Sequence, residues 1–153
     1  MVLLGIFASC GQKAPPPPPA AFTAEAEVLF GEKTFTAAVQ QHTPGVMQLL
    51  FTAPKELVGM ELALDGGTAS LRYRELQVSQ SLGTLPKASF AACLNQVLLQ
   101  LAQPGQEGFT HTAKGWAWKG KVNGLRCSAQ IAEDGSLRRL DVPAVRLRID
   151  LKY

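Results

Sequence analysis

Histidine and cysteine are scarce in this chain, two and three among 153 residues, and their spacing forms no metal-binding pattern. His42 and His111 stand far from each other and from Cys93 and Cys127, whereas zinc sites draw their ligands from short paired spacings. No metal site is expected. Charge is thin as well: 15 Lys and Arg against 12 Asp and Glu leave a net +3, and charged residues make up only 18% of the chain. Nucleic-acid binding calls for a concentrated basic stripe, so that class is excluded. The apolar stretch Met1 to Ser9 falls well short of the roughly 20 residues that a membrane-spanning helix needs. A P-loop, a dinucleotide fingerprint and a Gly-x-Ser-x-Gly elbow are all missing. The carboxylate pairs Glu25/Glu27, Glu56/Glu61 and Glu133-Asp134 fall at strand edges or in turns, where such pairs are solvated. No catalytic residue is nominated, no cofactor is implied, and an enzyme is not expected.

What is present begins at the N-terminus. An apolar run, two small residues and a cysteine, Phe7-Ala8-Ser9-Cys10, resemble the end of a bacterial lipoprotein signal peptide. That resemblance implies cleavage before Cys10, lipidation of its thiol, and an extracytoplasmic protein held on a bacterial membrane. Residues 1–10 are then the signal-peptide remnant, and Gly11 to Ala21, with five consecutive prolines, form a tether. Consecutive prolines fix φ and lack amide donors, so they settle into extended polyproline II and act as a spacer. Residues 22–153 form a single domain, long enough to bury about two-thirds of its unfolded surface without a metal or a disulfide.

From Phe22 the hydrophobic period is two, the mark of a strand with one buried face. Phe22 to Phe30 and Thr34 to Gln40 read as the first two strands, with a turn at Gly31-Glu32. Val46 to Thr52 is the third, with both faces, Val46/Gln48/Leu50 and Met47/Leu49/Phe51, largely apolar, so that it is expected to have cover on each side or one face turned toward a cavity. Glu56 to Leu64 and Thr68 to Val78 follow, joined at Asp65-Gly66-Gly67. Pro86 is expected in a first helical turn, and Phe90, Cys93, Leu94, Val97, Leu98 and Leu101 then recur at helical spacing up to Pro104-Gly105. Trp116 to Lys119, Leu125 to Ile131, Ser136 to Val142 and Val145 to Tyr153 give four more strands, with Lys119 to Gly124 reading as a turn after the first. Without βαβ alternation the sheet is antiparallel. The expected fold is mainly β (α+β): a curved antiparallel sheet, or half β-barrel, of about nine strands with one amphipathic helix across its concave face.

Cys93 in the helical stripe and Cys127 on an inward strand face are expected to be unbridged core residues, with a bridge between them as the alternative. Trp116 and Trp118 share one strand face, where they are core, a saccharide platform or the lining of a lipid cavity. From Thr110 onward nine Lys and Arg meet four acids, whereas Ala20 to Phe109 carries five against eight. Such a basic half can meet anionic polymer or headgroups.

The strand order, the segment Val46-Met47-Gln48-Leu49-Leu50-Phe51-Thr52-Ala53-Pro54-Lys55-Glu56-Leu57-Val58-Gly59 and the Asp134-Gly135 turn are similar to those of the bacterial LolA/LolB-like superfamily of lipoprotein carriers. The resemblance implies a curved sheet that holds acyl chains under helical cover. A monomer is expected that binds an acyl chain or other apolar ligand, with Leu50, Leu94, Leu98, Trp116 and Trp118 lining the cavity. The alternative is a packed structural or adaptor module of the cell envelope that binds a protein or an anionic polymer.

Overall fold

The computed structural model describes residues 15–84 and 89–153. Cys10, the start of the tether and Pro86 lie outside them. Among the described residues eleven strands form one unclosed, curved antiparallel sheet, with a single α-helix. They are β1 (Phe22–Phe30), β2 (Lys33–Thr43), β3 (Val46–Ala53), β4 (Glu61–Asp65), β5 (Thr68–Tyr73) and β6 (Leu76–Ser81), then α1 (Phe90–Leu101), then β7 (Phe109–Thr112), β8 (Gly115–Val122), β9 (Leu125–Ile131), β10 (Leu137–Val142) and β11 (Leu147–Lys152).

The spatial order β6-β5-β4-β3-β2-β1-β11-β10-β9-β8-β7 explains where the helix goes. Six strands meander outward from the centre to one edge. The chain must then reach the opposite edge, and α1 lies in that crossing. Five strands meander back until β11 pairs with β1, Ala26 opposite Leu151 and Val28 opposite Ile149. Most of the buried residues of the helix share one apolar cluster with the inward residues of the strands. Ser89 caps the helix by accepting the Ala92 N–H at 3.3 Å. Its sequence, FAACLNQVLLQL, carries no charge, as befits a helix enclosed on most sides. Ala91, Ala92 and Asn95 are buried along with the expected apolar stripe.

The strand count exceeds the expected nine for two physical reasons. Thr68 to Val78 is two strands, because Arg74-Glu75 turns the chain with Arg74 at φ 55°, a turn made without glycine, proline or asparagine. Phe109–Thr112 pairs with β8 although its sequence, FTHT, is mostly polar. Two boundaries also differ. Lys55–Leu57 forms a 3-10 turn, so the fourth strand begins at Glu61 rather than Glu56. The Trp strand runs on to Val122, through a segment whose glycine and lysines read as a turn. The end of the Pro-rich tether lies against the domain: a Cβ on Gly135 would stand 2.5 Å from the Pro16 and Pro17 carbonyl oxygens. Gln41 fixes the same segment by donating to the Ala20 carbonyl at 3.0 Å.

Candidate functional site

The concave face is built by period-two inward residues of ten strands and the buried side of α1, all in one apolar cluster. Leu94, Leu98, Trp116 and Trp118 belong to it. Alanines at Ala26 and Ala37 stand directly opposite one another on β1 and β2 and belong to the same cluster as most of the buried residues of α1. Ala26, Ala37, Leu94 and Val97 are each 0% exposed, so no water-sized space remains beside them. Phe35, Phe51 and Phe90 pack around the start of α1 with ring centroids 5.0 to 6.0 Å apart.

The two indoles are held in different ways. Trp118 donates its Nε1–H to the Glu107 carbonyl at 3.0 Å, and its ring folds over Gly120, where a Cβ would stand 2.2 Å from Trp118 Cζ2. Gly120 is therefore a packing residue, not a turn residue. Trp116 lies against His111, with ring centroids 4.6 Å apart, and its buried Nε1 has no hydrogen-bond partner. The Gln41 Oε1 and Asn95 Oδ1 atoms are likewise buried without partners. Both cysteines of the domain are buried thiols with no disulfide between them. Burial, followed by the nearby Cys93, pushes the Cys127 thiol up to about 11, which keeps it protonated and unreactive at neutral pH.

Leu50 does not join this group. It stands on the outer face at 44% exposure, while its neighbour Leu49 points inward at 0%. The cross-strand row through it reads Glu25, Ala38, Leu50, Glu61, Arg72, and its first four residues line an open depression of about 520 Å³ together with Gln40, Gln48 and Lys152. Glu61 accepts from Gln48 at 2.7 Å and from Arg72 at 2.8 Å. The Arg72 guanidinium, then Gln48, holds its carboxyl below the usual carboxylate range.

A second outer depression, about 380 Å³, sits on the β8–β9 hairpin and is lined by Lys119, Lys121, Arg126 and Ser128 together with Gly120 and Pro143. Register sets its composition: Lys119 lies opposite Ser128 and Lys121 opposite Arg126, so all four side chains leave the same face. Farther along the outer face cations are neutralised, Arg139 by Asp150 at 2.6 Å and Arg148 by Asp141 at 2.8 Å. Lys119, Lys121 and Arg126 form no ion pair among the described residues. The strand order also turns the charge asymmetry of the sequence into a spatial one. The acidic first half forms β1 to β6 on one side of the sheet, and the basic second half forms β7 to β11 on the other.

Among the described residues no three His, Cys, Asp or Glu side chains converge as metal ligands. His111 pairs with Glu133 at 2.7 Å on the open surface, and His42 is exposed on β2. No described helix is long and apolar enough to cross a membrane.

No protein-family model matches the chain, and no curated protein matches it. Among solved structures it is similar to the crystal structure of an uncharacterized conserved protein from Thermus thermophilus, at 18% identity over 85% of this chain and 74% of that one, with a TM-score of 0.47. A likeness of that degree says nothing about function.

Proposed function

We propose that the chain is a lipid-anchored, non-catalytic protein of the bacterial cell envelope whose domain is a packed platform that binds an anionic polymer through the β8–β9 face. Of the two readings the sequence supports, acyl-chain carrier and packed adaptor, the observation that favours the second is the filling of the concave face around Leu94, Val97, Ala26 and Ala37, each 0% exposed. An acyl carrier needs a cavity of several hundred cubic ångströms within its apolar face, about 300 Å³ or more. The binding surface follows from charge. Lys119, Lys121 and Arg126 share one depression with the Ser128 hydroxyl, and cations without carboxylate partners attract a polyanion at low salt. The anchor rests on Phe7-Ala8-Ser9-Cys10.

Two measurements test this reading. Binding of the purified full chain to dextran sulfate, with neutral dextran as the control, should weaken with salt and fall severalfold in the Lys119→Glu, Lys121→Glu double variant. In cells carrying a complete signal peptide, Cys10→Ser should move the protein out of the membrane fraction. Saturable binding of fatty acid, or polyanion binding indifferent to the two charge reversals, overturns the platform reading. Unchanged membrane retention of Cys10→Ser overturns the anchor.

A further inference from the structure

We propose that the β6 edge is a self-association surface, on which a second copy of this chain adds its own β6 in antiparallel register to continue the sheet. This inference does not depend on the polyanion reading. An open sheet has two edges, and here they are β6 and β7. They differ in how they are protected. The β7 edge is only four residues long, and His111 on it is hydrogen-bonded to the charged Glu133 side chain. Charge and brevity are the usual means of blunting an edge. The β6 strand has none of them. Its sequence, LQVSQS, has no charge and no proline, and its pairing with β5 runs without a bulge from Thr68 opposite Ser81 to Tyr73 opposite Leu76. All six residues are exposed.

The direction of the free backbone groups follows from one hydrogen bond. Leu82 donates its N–H to the Gly67 carbonyl at 2.7 Å, so position 82 belongs to the set whose backbone faces β5. In an antiparallel ladder that set alternates. Gln80, Val78 and Leu76 therefore bond to β5, and Gln77 and Ser79 turn their N–H and C=O groups toward the open edge. The side chains add a second element. Val78 lies opposite Leu71 and Leu76 opposite Tyr73, on the concave side, yet Leu76 is 59% and Val78 46% exposed.

A second copy fits this edge better than a charged partner does. Antiparallel pairing keeps each face with its like, because residues opposite each other project on the same side. With Gln77 of one copy opposite Ser79 of the other, these residues exchange backbone hydrogen bonds across a two-fold axis, the two Val78 side chains lie opposite each other and each Leu76 lies diagonal to the Val78 of the other copy. No like charges meet within the paired strands, and the basic halves of the two sheets, β7 to β11, lie at the far ends. The monomer expected from the sequence becomes one half of a continuous twenty-two-stranded sheet, twice the eleven of one chain.

Sedimentation velocity of the full chain over a concentration series tests this, with native hydrogen exchange read at Gln77 and Ser79. The expected result is a concentration-dependent species of twice the 16.4 kDa mass, little affected by 1 M salt, with slower exchange at those two amides as concentration rises. Val78→Lys should abolish it. Ser79→Pro removes a donor that faces the open edge and not β5, so it should abolish the species while leaving the circular dichroism spectrum and thermal midpoint of the monomer close to wild type. A wild-type chain that stays monomeric throughout the series overturns the proposal. So does association that persists in both variants, or that dissolves in salt.

Discussion

If the concave face is filled, truncating a side chain that plugs it must open a cavity, and Leu94→Ala is the sharpest such change. Leu94 is 0% exposed and lies in the same apolar cluster as Leu49, Trp118 and Ile149. Removing its three terminal carbons forfeits their transfer free energy and leaves a hole that a rigid sheet collapses only partly, a loss of about 3 kcal/mol within a usual range of about 2 to 5. With a urea dependence near ~2 kcal/mol per molar, the unfolding midpoint should fall by about 1.5 M. Leu50→Ala is the internal control. It removes the same atoms from a side chain that is 44% exposed, and should cost no more than about 0.5 kcal/mol. Were Leu94 instead the wall of a ligand cavity, one side of it would already lack partner atoms, and truncation would cost under about 1.5 kcal/mol. Urea unfolding followed by tryptophan emission and by circular dichroism separates the two cases. A Leu94→Ala midpoint within error of Leu50→Ala refutes the filled face and with it the main support for the platform reading.

Gly120→Ala should destabilise the domain by about 1 to 3 kcal/mol and shift indole emission, because the new Cβ would lie 2.2 Å from a Trp118 ring that its bond to Glu107 holds in place. Gly67→Ala, with nothing within 4 Å of the added carbon, should leave unfolding and emission near wild type, and equal behaviour of the two variants refutes the packing role. For the thiols, intact-mass measurement should find Cys93 and Cys127 resistant to alkylation in the native protein at pH 8 and both labelled in denaturant without reductant. Labelling of these two only after reduction shows a bridge instead. Since folding raises the Cys127 pKa from 9.0 to about 11, its contribution to stability is fully present below pH 9 and is lost as pH rises through 11. Cys127→Ser should flatten the fall in unfolding midpoint across that window.

Much of the fold was legible because the inward positions of β1, β2, β9 and β11 mostly alternate with charged or polar residues, and because the apolar residues of α1 recur at helical spacing up to a Pro-Gly pair. The missed strands share one cause. A turn at Arg74-Glu75 has no turn residue to announce it, since Arg74 takes the left-handed conformation at φ 55° under constraint from the β5–β6 pairing and not from its own preference. The 109–112 strand has only Phe109 and a histidine for a hydrophobic signal, and is a strand because it borrows the ladder of β8.

The site was harder to read for a different reason. In β3 both Leu49 and Leu50 are apolar, and a period of two cannot say which of two apolar faces points inward. What decides is the row each residue joins across the sheet. Leu49 sits between Val39 and Leu62, whereas Leu50 sits between Ala38 and Glu61. Glu61 in turn is bonded to Arg72 and Gln48 on the surface, and a carboxylate so solvated fixes its whole row outward. The parity of β4, whose Glu61 and Asp65 alternate with Leu62 and Leu64, therefore carried the answer for β3, provided the register between them was known. That register was hidden by the 3-10 turn at Lys55–Leu57, since β4 begins only at Glu61 and the first five residues of the expected Glu56 to Leu64 strand lie outside it. The same dependence on register assembled the basic depression: Lys119, Lys121 and Arg126 are scattered in sequence order, and only the tight Asn123-Gly124 reversal between β8 and β9 sets them side by side.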